Sequence, residues 1–460
     1  MVIGAGPAGA ATAYYLQKEG YEVTVLEKES FVGGRTHGYE DEQVRFDTGA
    51  SFFTNFYPLL KELVKKLEME EEVIELERRV GLKYKDQIAQ FKFGSFSSFW
   101  NLPFIDSRDK WIMLWNTIKL SLQRGKLDLV SPDKLAAVDD ESIADWATNS
   151  MSYKIFHFLI KPGVEPFWYF SCKDVSRAMT TVLQARAADA KFYTFKHGMA
   201  RISEKLLEKC KVHLNASVNK ISVNGNVEIN YSIEDKTEKI TTDCLVMATP
   251  ATVSSKLLND QLNNPLGTFI KSQQYVHNIH AVYLIDENEV SGFHAYYYPC
   301  GDWDTPIGAI VFHKLKCPNS VKAPKGKELV SIYLLDEPSK AIINSNKNDQ
   351  EMMNEVWEMG CEFLPKLTQT KENVTIIKRR EAIPLHEVGR YKQASQLKNE
   401  SLDKIFIIKR EIIDYTTKEL LEKSDYSSLD NLLITVSICT LIVPLSTVYL
   451  VQKSKFKSTE

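Results

Sequence analysis

The strongest constraint on this chain lies at its start, where Val2-Ile3-Gly4-Ala5-Gly6-Pro7-Ala8-Gly9-Ala10 reads as strand, turn and helix. Three glycines at G-x-G-x-x-G spacing each relieve a steric limit. Gly4 allows the tight turn, Gly6 lets a diphosphate approach the backbone, and Gly9 lets the helix pack against the strand. Pro7 and Ala8, between the second and third glycines, are with them candidate cofactor-binding residues. The predicted helix runs to Gly20, a natural C-cap. Its N-terminus offers unpaired N–H groups and a positive dipole end to an anion. A second strand over residues 22–26 leads into Glu27. This acid lies about 23 positions after Gly4, near the ~20 that brings a carboxylate to a ribose 2′-hydroxyl. A lone glycine fingerprint is weak, but the full strand–helix–strand–acid series predicts a dinucleotide-binding α/β domain with a mostly parallel sheet.

At 460 residues the chain exceeds what one hydrophobic core usually serves, so a second domain is expected. Its 57 basic and 60 acidic residues nearly balance, which excludes the basic excess of a nucleic-acid groove. Seven cysteines without a C-x-x-C pair form neither a disulfide framework nor a metal site, and fit a reducing compartment. Changes in pattern along the chain divide it. Residues 1–66 and 191–255 carry strand–helix signals and form two parts of the nucleotide domain. Residues 67–190 form a helical, aromatic insertion, 256–384 a strand-rich substrate domain, and 385–425 a final nucleotide-domain segment. This is a Rossmann-like domain with an α+β domain inserted.

After Glu27 come Lys28, then Gly33-Gly34-Arg35, and later Asp47-Thr48-Gly49-Ala50. This ordered series resembles the superfamily of flavin-containing amine oxidases, protoporphyrinogen oxidases and phytoene desaturases. The resemblance implies FAD as cofactor. It implies that Gly33 and Gly34 keep a loop thin over the FAD, with Arg35 close to its phosphates or flavin. Arginine suits phosphate through its planar fork of donors. Thr48, Gly49 and Ala50 are implied beside the flavin, and Val218 at the adenine. Residues 165–170, 382–384 and 389–391 are most similar to the protoporphyrinogen-oxidase-like branch. Of the aromatic residues, Trp168 and Tyr169 are candidates to face a substrate, although aromatics mostly fill cores.

Two places depart from the family pattern. After the strand expected at residues 405–408, the family's Ala-Gly-Asp and following helix are replaced by Lys409-Arg410-Glu411, and no glycine follows Gly389. The cradle at the flavin end is therefore expected to be missing or rebuilt. The flavin-facing lysine of amine oxidases is matched by His280, which on an alternating strand reads as structural. Lys314 or Lys316 are the substitutes an amine oxidase would need. No catalytic base is assigned.

Residues 432–451 carry no charge over a length that can span a bilayer, and a basic end with Lys453, Lys455 and Lys457 follows. The pattern predicts a C-terminal apolar helix and a single-pass membrane anchor, with the main domain in the cytoplasm. The expected function is hydride transfer from a bulky organic substrate to FAD, with oxygen or a quinone as electron acceptor. An amine oxidase and a non-enzymatic scaffold remain alternatives.

Overall fold

The computed structural model describes residues 1–127, 132–224, 226–234, 236–258, 262–367, 370–400, 405–409 and 447–452. The nucleotide domain is built on a six-stranded sheet with Val2–Ile3 near its centre. Thr24–Leu26 and Cys244–Met247 flank that strand, and Lys211–His213 lies beyond Thr24–Leu26, all parallel. Short, almost continuously apolar strands are what a parallel sheet covered on both faces requires. The helix Pro7–Lys18 packs on it with every residue from Pro7 to Ala13 buried.

The sheet is completed by Thr447–Gln452, antiparallel to Cys244–Met247, and by Ile405–Lys409 beside it. This corrects the expected apolar helix at its C-terminal end. Thr447-Val448-Tyr449-Leu450-Val451 is rich in β-branched and aromatic residues, which favour a pleated strand over a helix, and its backbone pairs with residues 244–247. The remainder of the expected membrane span, and the segment 410–425, lie outside the described residues. Among the described residues no helix is long and apolar enough to cross a membrane.

The second sheet has seven strands in the order Glu372–Pro384, Tyr275–Asp286, Lys327–Leu334, Ile307–Phe312, Tyr296–Pro299, Arg79–Tyr84 and Gln87–Lys92. All neighbours are antiparallel except Tyr296–Pro299 and Arg79–Tyr84. The hairpin formed by Arg79–Tyr84 and Gln87–Lys92 comes from the segment read as helical, whose helices begin only at Phe96–Trp100. From there Ser107–Leu122, Ile143–Ser150 and Arg177–Gln184 enclose one side of the molecule, each started by a side-chain cap from Asp106, Ser142 or Ser176.

Candidate functional site

The glycine fingerprint does what its spacing demands. Gly4 adopts φ +101°, and a Cβ there would stand 2.8 Å from the Ala248 carbonyl oxygen. A Cβ on Gly9 would run into the Gly4 carbonyl, so the helix can lie this close only without a side chain. Gly6 precedes the helix and offers no side-chain cap, which leaves the first-turn N–H groups to an external acceptor.

The other motif residues assemble around this turn. Gly33, with a left-handed backbone, donates its N–H to the Ala5 carbonyl at 2.9 Å. Gly34 then lies against Gly6, where an added Cβ would be 3.2 Å from the Gly6 Cα. Ala50 donates to the Arg35 carbonyl at 3.0 Å, and a Cβ on Gly49 would strike the same oxygen. Glu27 is buried, its carboxylate accepting from the N–H groups of Ala5 (2.7 Å) and Glu29 (3.0 Å). It ties the second strand to the fingerprint turn and retains lone pairs for a further donor. The Glu27 carbonyl accepts from Ala216 at 2.7 Å, which brings the strand carrying Val218 alongside. Lys28 stays exposed and pairs with Glu29 at 3.1 Å. Residues 4–9, 27, 33–35 and 48–50, separated in sequence, thus form one continuous backbone-lined surface.

Beyond the Thr48–Ala50 turn lies a small cavity of about 80 Å³ that reaches the substrate sheet, lined by Arg35, Ser51, Tyr169, Lys316, Tyr333 and Arg379 among others. Arg379 is the main residue that sequence reasoning missed. Its guanidinium donates to the Thr48 carbonyl (2.6 Å) and hydroxyl (2.9 Å). Burial lowers its pKa to about 10. It sits in the charged run Lys378-Arg379-Arg380-Glu381, which reads as a solvated surface. The strand's period of two was the available signal. Lys378 and Arg380 point outward to Asp349 and Asn344, so Arg379 points in. Arg35 donates to the Ala382 carbonyl at 3.1 Å and is also lowered by burial. Among the described residues neither guanidinium has an ion-pair partner.

His280 is structural. One ring nitrogen is 3.1 Å from the Thr48 carbonyl, the other 2.7 Å from the Ser331 hydroxyl, and its ring stacks on Tyr333 at 4.1 Å. Burial lowers its pKa to about 3 and keeps it neutral. Lys314 ion-pairs with Glu287 at 2.7 Å and lines neither cavity. Lys316 is buried in the small cavity with its amine 3.4 Å from the Ser51 carbonyl. Burial lowers its pKa, while the nearby Asp47 opposes the shift. Asp47 itself accepts from the Met199 N–H at 2.9 Å.

A larger cavity of about 290 Å³ adjoins the first, with Phe52 and Phe167 lining both. Those two rings meet edge to face at 5.7 Å. Phe56, Phe91, Phe93, Phe99 and Trp168 supply much of the remaining wall. Trp168 therefore faces the large cavity and Tyr169 the small one.

Residues 7–380 match the family profile described as flavin containing amine oxidoreductase. The chain belongs to this family. Over 54 residues it is 48% identical to a 1-hydroxycarotenoid 3,4-desaturase of Flavobacterium sp. (strain P99-3), an alignment covering 12% of this chain and 11% of that relative. The matched part is thus about a tenth of the relative's length. Among solved structures, a protein from Exiguobacterium sp. 255-15 provisionally named protoporphyrinogen oxidase superposes with a TM-score of 0.64 at 14% identity, covering 87% of this chain and 90% of that one. A putrescine oxidase bound to putrescine gives 0.64 at 17% identity, covering 88% and 90%. At such identities the likeness speaks for the fold alone.

The cofactor of this flavin family is FAD, and the residues present fit it. A side chain at Gly4, Gly9 or Gly49 would collide with backbone atoms of the turns that form the cradle. Arg35 and Arg379, neither in an ion pair among the described residues, supply cationic donors beside the Thr48–Ala50 turn.

Proposed function

We propose that this chain is an FAD-dependent oxidoreductase that removes hydride from a C–H bond of a bulky, apolar organic substrate, in the manner of the protoporphyrinogen-oxidase-like branch. The observation that carries this reading is the aromatic cavity that meets the Arg35–Thr48 surface at Phe52 and Phe167. Gly4, Gly6, Gly9, Gly33, Gly34 and Arg35 would hold the diphosphate side, Glu27 and Val218 the adenosine side, and Thr48–Ala50 with Arg379 the flavin side. When bound, FAD supplies the hydride acceptor. The aromatic walls bind the substrate by apolar contact and exclude water from the reacting bond. Lys316, whose amine burial makes easier to deprotonate, takes the proton that leaves as the new double bond forms. Oxygen or a quinone then accepts the two electrons.

Lys316 also supports a second reading, oxidation of an amine, because it is a buried basic group at the Thr48–Ser51 turn. Anaerobic addition of a porphyrinogen, a polyene or a polyamine to the FAD-loaded protein separates the two. Bleaching of the yellow colour by an apolar compound supports the first reading. Bleaching by the polyamine alone overturns it in favour of the second.

The substrate's apolar character fits delivery from a membrane surface. On the helix Ser107–Leu122, Trp111 (61% exposed), Trp115 (69%), Ile118 and Leu122 (83%) form one exposed face. Arg108 and Lys119 of that helix, and Lys126 after it, are exposed, while its single acid, Asp109, is buried. Tryptophans flanked by cations match an anionic lipid interface. Met113, Leu114 and Thr117 of the same helix line the aromatic cavity, as does the exposed Phe96.

A further inference from the structure

Among the described residues, Tyr169 is the one with a strained backbone that borders either cavity. Of the non-glycine residues with positive φ, Glu68, Lys85, Asn215 and Glu234 are exposed, whereas Tyr169, at +62°, lines the small cavity. A bulky side chain is unfavourable in this left-handed conformation, which persists only where the surroundings fix it. Neighbours from four segments do so. The Tyr169 N–H donates to the Glu165 carbonyl at 2.7 Å, and its own carbonyl accepts from the Asp336 N–H at 2.9 Å. Its ring stacks on Tyr333 (5.8 Å, 12°). Gly308 leaves it room, since a Cβ there would be 3.2 Å from Tyr169 Cδ1. Consecutive side chains therefore part, Trp168 to the large cavity and Tyr169 to the small one.

Tyr169 is half-buried, and the surface it keeps borders the small cavity. Its hydroxyl has no hydrogen-bond partner among the described residues and is not among the atoms sealed from water. Burial holds its pKa well above the ordinary phenol value, against the opposing pull of Arg379, so the O–H stays available to donate. Arg35, Lys316 and Arg379 line the same cavity, and no Asp or Glu does. The large cavity has no charged residue in its wall. Together they suit a molecule apolar over most of its length, with one end that accepts hydrogen bonds without donating them.

We infer that Tyr169 is a substrate-binding residue whose O–H donates to a carbonyl oxygen of the substrate in the small cavity. The inference rests on the proposed function and narrows its substrate to an apolar compound whose oxidised bond lies next to a carbonyl. A donor on that oxygen stabilises the charge that gathers there as the neighbouring C–H is broken. That C–H releases its proton to Lys316, the next carbon gives its hydride to FAD, and a C=C bond forms between the two carbons.

The test uses equilibrium dialysis of the FAD-loaded full chain against 2-acetylnaphthalene and 2-ethylnaphthalene, which differ by a carbonyl in place of a methylene. The ratio of their dissociation constants is compared between the wild type and Tyr169→Phe, which keeps the ring and its stacking and removes only the O–H. Loss of one neutral hydrogen bond predicts that the preference for the ketone falls roughly two- to tenfold. Binding of both compounds with an unchanged ratio overturns the inference and leaves the cavities standing as the substrate site. Failure of the wild type to take up FAD, or to bind either compound, overturns the proposed function and the inference with it. Tighter binding of 2-naphthoate than of the ketone would assign the acceptor as a carboxylate and overturn the carbonyl. Should Tyr169→Phe fail to fold, the infrared carbonyl band of the ketone bound to the wild type decides. It is expected at lower frequency than in hexane, and a band at the hexane position overturns the inference.

Discussion

Replacing Arg379 with methionine should separate cofactor binding from folding. In the ligand-free protein two effects of this side chain oppose each other. Burial lowers its pKa from the ordinary guanidinium value to about 10, so holding the cation there costs about 3 kcal/mol relative to water, at 1.36 kcal/mol per pKa unit. Against this stand its two charge-assisted bonds to Thr48, each contributing about 1.5–3 kcal/mol. Methionine keeps much of the stem's volume and removes both effects. The stability of the apoprotein should therefore change by no more than about 1–2 kcal/mol, measured by urea unfolding. FAD affinity should fall much further in relative terms. Losing one charged donor to the cofactor, at about 1.5–3 kcal/mol, corresponds to a roughly 10- to 150-fold higher Kd. Titration of the apoprotein with FAD, followed by quenching of flavin fluorescence, measures it. Arg379→Lys should recover part of the affinity, since it restores the charge but not the planar fork. A Kd within about threefold of wild type would refute the role assigned to Arg379, as would a stability loss large enough to explain weaker binding.

Four further outcomes follow from the same geometry. Gly9→Val places branched carbons against the Gly4 carbonyl and should abolish FAD retention through purification, as read from the flavin-to-protein absorbance ratio. The lowered pKa of Lys316 predicts that kcat/KM rises with pH to a plateau, with a midpoint below the ordinary lysine value of about 10.4. That limb should vanish in Lys316→Met, and its persistence would exclude Lys316 as the base. His280 is neutral in the fold down to about pH 3, whereas in the unfolded chain it protonates near 6.5. Its folded pKa is depressed, so the stability it contributes is fully present above about pH 6.5 and is lost as the pH falls towards 3. Below pH 6, His280→Gln should flatten the decline in stability by at most about 1.4 kcal/mol per pH unit, measured by urea unfolding across pH 4–7. For the tryptophan face, Trp111→Ser/Trp115→Ser should weaken cosedimentation with phosphatidylserine-containing vesicles several-fold. Unchanged cosedimentation, or self-association lost by this variant, would redirect the face to another occupant.

The parts of the site that sequence made legible are those where backbone geometry forces residue choice. Gly4, Gly9, Gly33 and Gly49 each stand where a Cβ would meet another atom, and such positions leave a trace in any single chain. Glu27 was legible by its spacing, although its carboxylate also straps the Ala5 turn, which spacing does not reveal. Lys316 was legible as one of two candidate lysines, whereas Arg379 and the cavity-lining residues of the helix Arg177–Gln184 were not. Their role depends on pairing between the substrate sheet and the Thr48 turn, or on which helix face borders a cavity, and both are set by contacts distant in sequence. The apolar run 432–451 misled at its C-terminal end, the part of it that lies among the described residues. Length and lack of charge suit a membrane helix, but the β-branched and aromatic residues of 447–451 also suit a strand, and pairing with Cys244–Met247 decides for the strand there.

The most direct test of the account is the visible absorption spectrum of the purified full chain, with released flavin quantified after denaturation. The proposed function predicts about one FAD per chain, held by the glycine turns, Glu27, Arg35 and Arg379. A folded, colourless protein that cannot take up added FAD would contradict that claim and leave a scaffold that has lost its cofactor.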